Sequence, residues 1–275
     1  MVRILFIMCI AISLLISHAV NARTLTFGVV PQQSAKKMAK SWQPLFDYIE
    51  NYTGLNIDFQ TAKDIPTFEA NLANGEYDIA YMNPFHFVVF NSSVGYQALA
   101  KQKDKRLQGI IVVHKDSAIH SLSELNGTEL VFPAPAAFAA SIVTIAKLKN
   151  ENIAFTPRFV KSHDSVYLNV EKRFFLAGGG IHRTLGSFPA KQSLKVLWES
   201  PRYTPHAIAT HPRLTEDERQ SIINALISIS SDASSTNILK NLGMNGFVEA
   251  DDSHWDDVRK LGISSLSQPL NQPHS

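Results

Sequence analysis

Cysteine is all but missing from this 275-residue chain, with Cys9 its single example. That excludes a disulfide framework and a cysteine-based zinc site. An excess of one charge is missing too. Lys and Arg number 26 against 24 Asp and Glu, a formal net charge of +2. This is too balanced for a chain built mainly to grip nucleic acid, which shows clustered Lys and Arg. The marks of disorder are absent, because 45% of residues are hydrophobic and only 18% are charged. Catalytic signatures are lacking as well: there is no GxSxG and no HExxH. The histidines His114, His120, His163, His182, His206 and His211 are scattered without i,i+4 pairing. Neither a metal nor a cofactor is expected.

Long apolar runs are confined to the N-terminus. Arg3 is the lone charge in residues 1–22, and an apolar run follows it from Ile4 to Ile16. Small side chains close the segment at Val20-Asn21-Ala22. A basic start, an apolar stretch and a small-residue end make a cleavable export signal. The run is shorter than the roughly 20 residues a spanning helix needs. Cys9 lies inside this run, so removing residues 1–22 from the 275 leaves a thiol-free chain with a charge of +1.

The remaining sequence alternates. Leu25–Val30 is a β-rich run ending at Pro31 and reads as a buried strand. From Ser34, residues Met38, Trp42, Leu45, Phe46 and Ile49 share one helical face, and Gly54 stops that helix. A strand over 56–60, a helix over 65–74, a strand over 78–82 and a helix from Asn83-Pro84 follow. Strands are expected at 96–100 and 109–114. A second unit starts near Lys115, with Ser121-x-x-Glu124 marking a helix start. Strands at 129–132, 157–161, 174–177 and 194–198 alternate with helices at 136–150 and 165–173. Gly178-Gly179-Gly180 reads as a loop after its strand. A strand over 203–209, then helices from Thr215, over 232–242 and over 252–262, complete the pattern. Residues from Ser264 read as a loose tail. Strand–helix alternation predicts an α/β fold with mostly parallel sheets.

Three junctions have a specific wording. Gly28-Val-Val-Pro-Gln-Gln-Ser34 joins the first strand to its helix. Thr61-Ala-Lys-Asp-Ile-Pro-Thr-Phe68 opens the second helix. Gly75-Glu-Tyr-Asp-Ile-Ala-Tyr-Met-Asn-Pro-Phe-His86 joins the third strand to the third helix. With Leu125-Asn-Gly-Thr-Glu-Leu-Val-Phe-Pro133, Ser162-His-Asp164 and Trp198-Glu-Ser-Pro201, they resemble the periplasmic substrate-binding proteins of ABC importers for phosphonate, phosphite and phosphate. The resemblance implies a two-lobed type II periplasmic binding protein. Each lobe would be a mostly parallel sheet flanked by helices, with two crossing strands between them. Lobe one would comprise residues 23–113 plus 203–275, and lobe two residues 114–202. Ligands of such sheets lie beyond the carboxyl ends of the strands, at helix N-termini.

The candidate ligand-binding residues follow from these junctions. Gln32 and Gln33 either bond a ligand or, with Ser34, cap the first helix. Tyr81 is the aromatic that the resemblance assigns to the ligand, and Asn83 beside it caps or binds. His86 points to the ligand or along its helix into solvent. The resemblance implies a cleft role for His163, with Asp164 as the cap of the helix at Ser165. Arg183, after the glycines, is either a bidentate anion partner or a surface arginine. Tyr203 and His206 lie on the return crossing.

Two departures matter. Where the resembled proteins carry hydroxyls, Pro133-Ala-Pro-Ala-Ala-Phe-Ala-Ala-Ser141 offers Phe138 and only Ser141. Backbone donors would remain there. No Asp or Glu occurs between Arg202 and Arg213, which argues against an aminophosphonate. The expected function is capture of a small, anionic solute by hinge closure and its delivery to an inner-membrane ABC permease. The alternative is a ligand sensor that signals to a membrane receptor kinase. The protein is expected in the periplasm, as a monomer, without enzymatic activity or nucleic-acid binding. Near-neutral charge implies selection by a few directed donors rather than by a basic surface.

Overall fold

The computed structural model describes residues 23–232 and 235–262. The expected signal segment and the tail from Ser264 lie outside the described residues. Strand β1 (Thr24–Val29) buries Leu25 and Phe27 completely. Helix α1 (Ala35–Thr53) lays the expected stripe, Met38 to Ile49, against it. It ends at Gly54, whose φ of 73° and bond from its N–H to the Glu50 carbonyl (2.8 Å) make a left-handed stop that favours glycine. Strand β2 (Asn56–Gln60), helix α2 (Ile65–Ala73), strand β3 (Ile79–Met82), helix α3 (Pro84–Ser93) and strand β4 (Gln97–Gln102) follow.

The chain then builds a second sheet. It uses β5 (Gly109–His114), β6 (Thr128–Phe132), a π-helical turn over Phe138–Val143 leading into α4 (Thr144–Asn150), β7 (Phe155–Phe159) and α5 (His163–Glu171). Next come β8 (Ala177–Ile181), α6 (His182–Ser187) and β9 (Leu194–Glu199). On returning, β10 (Ala207–Thr210), α7 (Glu216–Ser228), α8 (Thr236–Leu242), β11 (Phe247–Glu249) and α9 (Asp256–Arg259) complete the first lobe. The first sheet has the order β11-β4-β10-β3-β1-β2 and the second β7-β6-β8-β5-β9. Within them β1, β2 and β3 are parallel, as are β6, β7 and β8, while β10 and β5 run antiparallel to their neighbours. The two-lobed α/β architecture agrees with the sequence reading.

Several local expectations change. The three glycines are the strand β8 itself, not a loop after one. A central strand covered on both faces has no room for side chains there. A Cβ on Gly178 would lie 2.6 Å from Val166 and 2.8 Å from Val131, one on Gly179 would strike the Ala140 carbonyl oxygen, and one on Gly180 the Tyr167 hydroxyl. The strand 109–114, placed in lobe one by the sequence boundary, pairs with β8 and β9 in the second sheet. The outward crossing therefore precedes Gly109. The return strand starts at Ala207 rather than 203, and Tyr203 instead ties the crossings together. Its N–H and C=O each bond Leu107 at 2.8 Å. The helix at 163 is capped by Ser162, whose hydroxyl accepts from Ser165 N, so Asp164 is not the cap. Strand β11 and the short α6 are elements that periodicity did not reveal.

A buried carboxylate fastens the first lobe. Asp78 accepts from Arg213 Nε (2.6 Å), Thr26 N (2.9 Å), Thr26 Oγ1 (2.9 Å) and Arg23. Burial alone would raise its pKa, but Arg213 and the Thr26 donors outweigh that and hold it below the usual carboxylate range. Strand β1 is thereby locked to the start of β3 and to the loop after β10.

Candidate ligand-binding site

The strands of the first sheet end in one row. β1, β3 and β4 finish there, and the antiparallel β10 and β11 begin there. Tyr81, next to last in β3, is held from two sides. The Trp42 ring lies 4.8 Å away at 54°, and the His206 ring stacks at 4.9 Å and 12°. Burial raises the Tyr81 pKa, so the phenol stays protonated and remains a donor. His206 Nε2 lies 2.9 Å from Gln32 Nε2. Burial, then the charges of His86, Arg183 and Lys105, push the His206 pKa down to about 3. The ring is neutral at pH 7, so its Nε2 can accept the Gln32 amide proton. Gln32, Tyr81 and His206 thus form one packed triad. Ser34 stands at the helix N-cap but makes no side-chain capping bond.

Helix α3 starts at Asn83, whose Oδ1 accepts from His86 N at 2.9 Å. The Asn83 Nδ2 donates to the Ala136 carbonyl at 3.0 Å, a bond from the first lobe to the second. His86 does not reach solvent. It is fully buried and its Nε2 lies 3.0 Å from Glu69 Oε1. Glu69 is a neighbour the sequence did not flag, because it lies on another helix. Phe138 is also buried, edge-on to Tyr203 at 5.6 Å and 87°. It joins the same apolar cluster as Trp42 and Tyr81, so the Ala-rich segment carries its one aromatic into the first lobe's core.

On the second lobe, burial and then the Arg183 charge push the His163 pKa down to about 4. Arg183 stands at the start of α6, directly beyond β8. Its positive charge disfavours protonation of His163 and His206 and favours the Tyr81 phenolate, in each case less strongly than burial acts. Among the buried side-chain polar atoms without a hydrogen-bond partner are His86 Nδ1, Ser141 Oγ and His163 Nδ1. Such atoms are costly in a protein interior, and these three come from three different elements.

A cavity of about 770 Å³ opens over this region. Gln32, Gln33, Tyr81, Arg183 and His206 line it. Asn83, His86, Phe138, Ser141, His163 and Tyr203 lie outside its lining. The cavity also exposes cations that sequence reasoning did not single out: Lys37, Lys105, Arg106, Arg202 and Lys240. They are scattered from residue 37 to residue 240. Only the charged run Lys101–Arg106 hinted at any of them. Cations thus converge on the cavity although the whole chain is nearly neutral. Among the described residues no His, Cys, Asp or Glu cluster fits a metal ion. Nor is any described helix long and apolar enough to cross a membrane.

The geometry has relatives. The family described as "ABC transporter, phosphonate, periplasmic substrate-binding protein" matches residues 27–255. The phosphate-import protein PhnD of Mycolicibacterium smegmatis is 24% identical, over 87% of this chain and 80% of its own. PhnD1 of Prochlorococcus marinus, solved with methylphosphonate, superposes with a TM-score of 0.77 at 15% identity, covering 88% of this chain and 98% of that one. A binding component of an ABC phosphonate transporter from Pseudomonas aeruginosa gives 0.74 at 17% identity, covering 88% and 86%. A family match over most of the chain, joined to the two-sheet fold, identifies this protein as a member of the periplasmic substrate-binding proteins of phosphonate-type ABC transporters.

Proposed function

We propose that this solute-binding import component captures a phosphonate- or phosphate-like anion between its lobes and presents it to an inner-membrane permease. The observation that carries the reading is Arg183, a second-lobe guanidinium without a side-chain bond among the described residues that lines one cavity with Gln32, Gln33, Tyr81 and His206 of the first lobe. An anion there gains charge-assisted hydrogen bonds. Its donors would be Arg183, the Tyr81 phenol and the Gln32 and Gln33 amides, all of which line the cavity. The methylphosphonate bound by the Prochlorococcus relative and the phosphate named for the Mycolicibacterium relative belong to the same chemical class.

Closure follows from the same contacts. The crossings are joined at Leu107 and Tyr203, and they form the hinge. The Asn83–Ala136 bond and the Phe138 contact are the surfaces that close. A ligand bridging the lobes shifts the population toward the closed form by its differential affinity for it. No bond is made or broken, and the protein acts as a carrier rather than an enzyme. Export to the periplasm would use residues 1–22.

Thermal unfolding with methylphosphonate, phosphite and phosphate tests this. A ligand at about 100 times its Kd stabilises the folded state by roughly 2.7 kcal/mol, a clear rise in Tm. The Arg183→Gln variant should lose most of that rise. No shift with any of the three oxyanions would overturn the ligand class.

A further inference from the structure

The cavity is larger than a single oxyanion needs. Its volume of about 770 Å³ lies within the range of roughly 300–1,000 Å³ that encloses drug-sized ligands. Its lining reaches from Val29 at the end of β1, past Tyr81 on β3, His206 before β10 and Gln102 on β4, to Met244 ahead of β11. Those strands are consecutive neighbours in the first sheet. Four strand spacings amount to about 19 Å. The turn at the far end is held against β4, where Lys103 N bonds the Gly246 carbonyl at 2.9 Å.

Charge is distributed along that length. Arg183 stands at the Tyr81 end. Lys37 on α1 and Lys105 and Arg202 on the crossings line the cavity as well, and Lys240 on α8, four residues before Met244, stands toward the other end. Of the described arginines, Arg23, Arg106, Arg158, Arg173, Arg213, Arg219 and Arg259 all have hydrogen-bonded or ion-paired side chains. Arg183 and Arg202 make no such side-chain bond among the described residues, and both line this cavity. Lys37, Lys105 and Lys240 likewise have no ion pair there, and Asp104 is the one carboxylate in the lining. Apolar side chains, Met38, Trp42, Leu107 and Leu242, complete the wall.

We infer that the cavity takes an elongated organic dianion, a phosphonyl or phosphoryl compound with a second anionic group at its far end. The head group lies by Arg183 and Tyr81, the body on the apolar wall, and the tail group among Lys37, Arg202 and Lys240. This rests on the proposed anion-binding function and adds a second anion subsite to it.

The test is calorimetric titration of the full mature chain with butylphosphonate and with the α,ω-butane diphosphonate, a pair sharing one apolar body. The diphosphonate should bind about tenfold more tightly, as expected for a few exposed ion pairs. The triple variant Lys37→Gln, Arg202→Gln, Lys240→Gln should abolish that advantage and leave butylphosphonate affinity within about twofold. A control variant, Lys36→Gln with Lys40→Gln, removes exposed cations outside the cavity lining and should leave the advantage intact. Equal affinities for the two probes overturn the second subsite while leaving the anion site standing. An advantage lost equally in the control shows non-specific charge attraction and overturns it too. Binding of neither probe, with methylphosphonate also failing, overturns the anion-binding function together with the subsite.

Discussion

Strands β3 and β8 occupy the same place in their sheets and are built from opposite materials. Each lies between a parallel strand and an antiparallel one, β1 and β10 around β3, β6 and β5 around β8. β3 reads Ile-Ala-Tyr-Met, and its next-to-last residue is the aromatic that lines the cleft. β8 reads Ala-Gly-Gly-Gly-Ile and carries almost no side chains. The first lobe therefore reaches the cleft with aromatic and amide side chains. The second lets its π-helical turn and α5 press onto bare backbone, and brings Arg183 to the cleft at the strand's end. A binding site can thus be assembled from one lobe that supplies groups and one that supplies close approach.

The largest effect should come from restoring a side chain to β8. Gly179→Ala would drive a Cβ into the Ala140 carbonyl, which cannot swing aside, and should destabilise the fold by roughly 3 kcal/mol. Urea unfolding would measure it. A loss under about 0.5 kcal/mol would break the contrast between the strands.

Acidification should be the next largest effect, and it engages both lobes. His206 and His163 have folded pKa values of about 3 and about 4, below the roughly 6.5 of an unfolded histidine. Between those limits the unfolded chain binds more protons. Stability is therefore complete above about pH 6.5 and falls as the pH drops toward 4. With allowance for partial solvent access, the loss is on the order of 1–2 kcal/mol. Thermal unfolding across that range should show it, and His163→Gln should flatten the curve.

Asn83→Ala should cost about 1 kcal/mol. It removes the α3 cap together with the bond to Ala136. Small-angle scattering should report a more open molecule without ligand, whereas an unchanged envelope would assign Asn83 to capping alone. The smallest stability effect belongs to Tyr81→Phe, within about 0.5 kcal/mol, because the Trp42 and His206 ring contacts persist. Its methylphosphonate affinity should nevertheless fall about fivefold to tenfold in calorimetry. Unchanged affinity would take the phenol out of the site.

Local sequence carried much of the fold because the relevant forces are local. The α1 stripe from Met38 to Ile49 follows helical spacing, and Asn83-Pro84 carries its own capping chemistry. What misled were residues whose meaning depends on distant neighbours. Glycines signal a loop by propensity, yet in β8 they answer to Val131, Ala140 and Tyr167. Strand 109–114 has no mark of which sheet it will join. His86 gives no sign in sequence that Glu69 will take its Nε2.

By itself the sequence determined the alternating α/β class, the junction residues at the strand ends and the near absence of net charge. Those are properties of composition and of short-range periodicity. The tertiary structure alone decided that Lys37, Lys105, Arg183, Arg202 and Lys240 converge on one cavity. The physical reason is the topology. Chain ends of β1, β3, β4, β10 and β11 line up along one edge only after the chain has crossed to the second lobe and returned. Cations remote in sequence then act together at close range, where Coulomb attraction depends on distance and not on the net charge of the molecule.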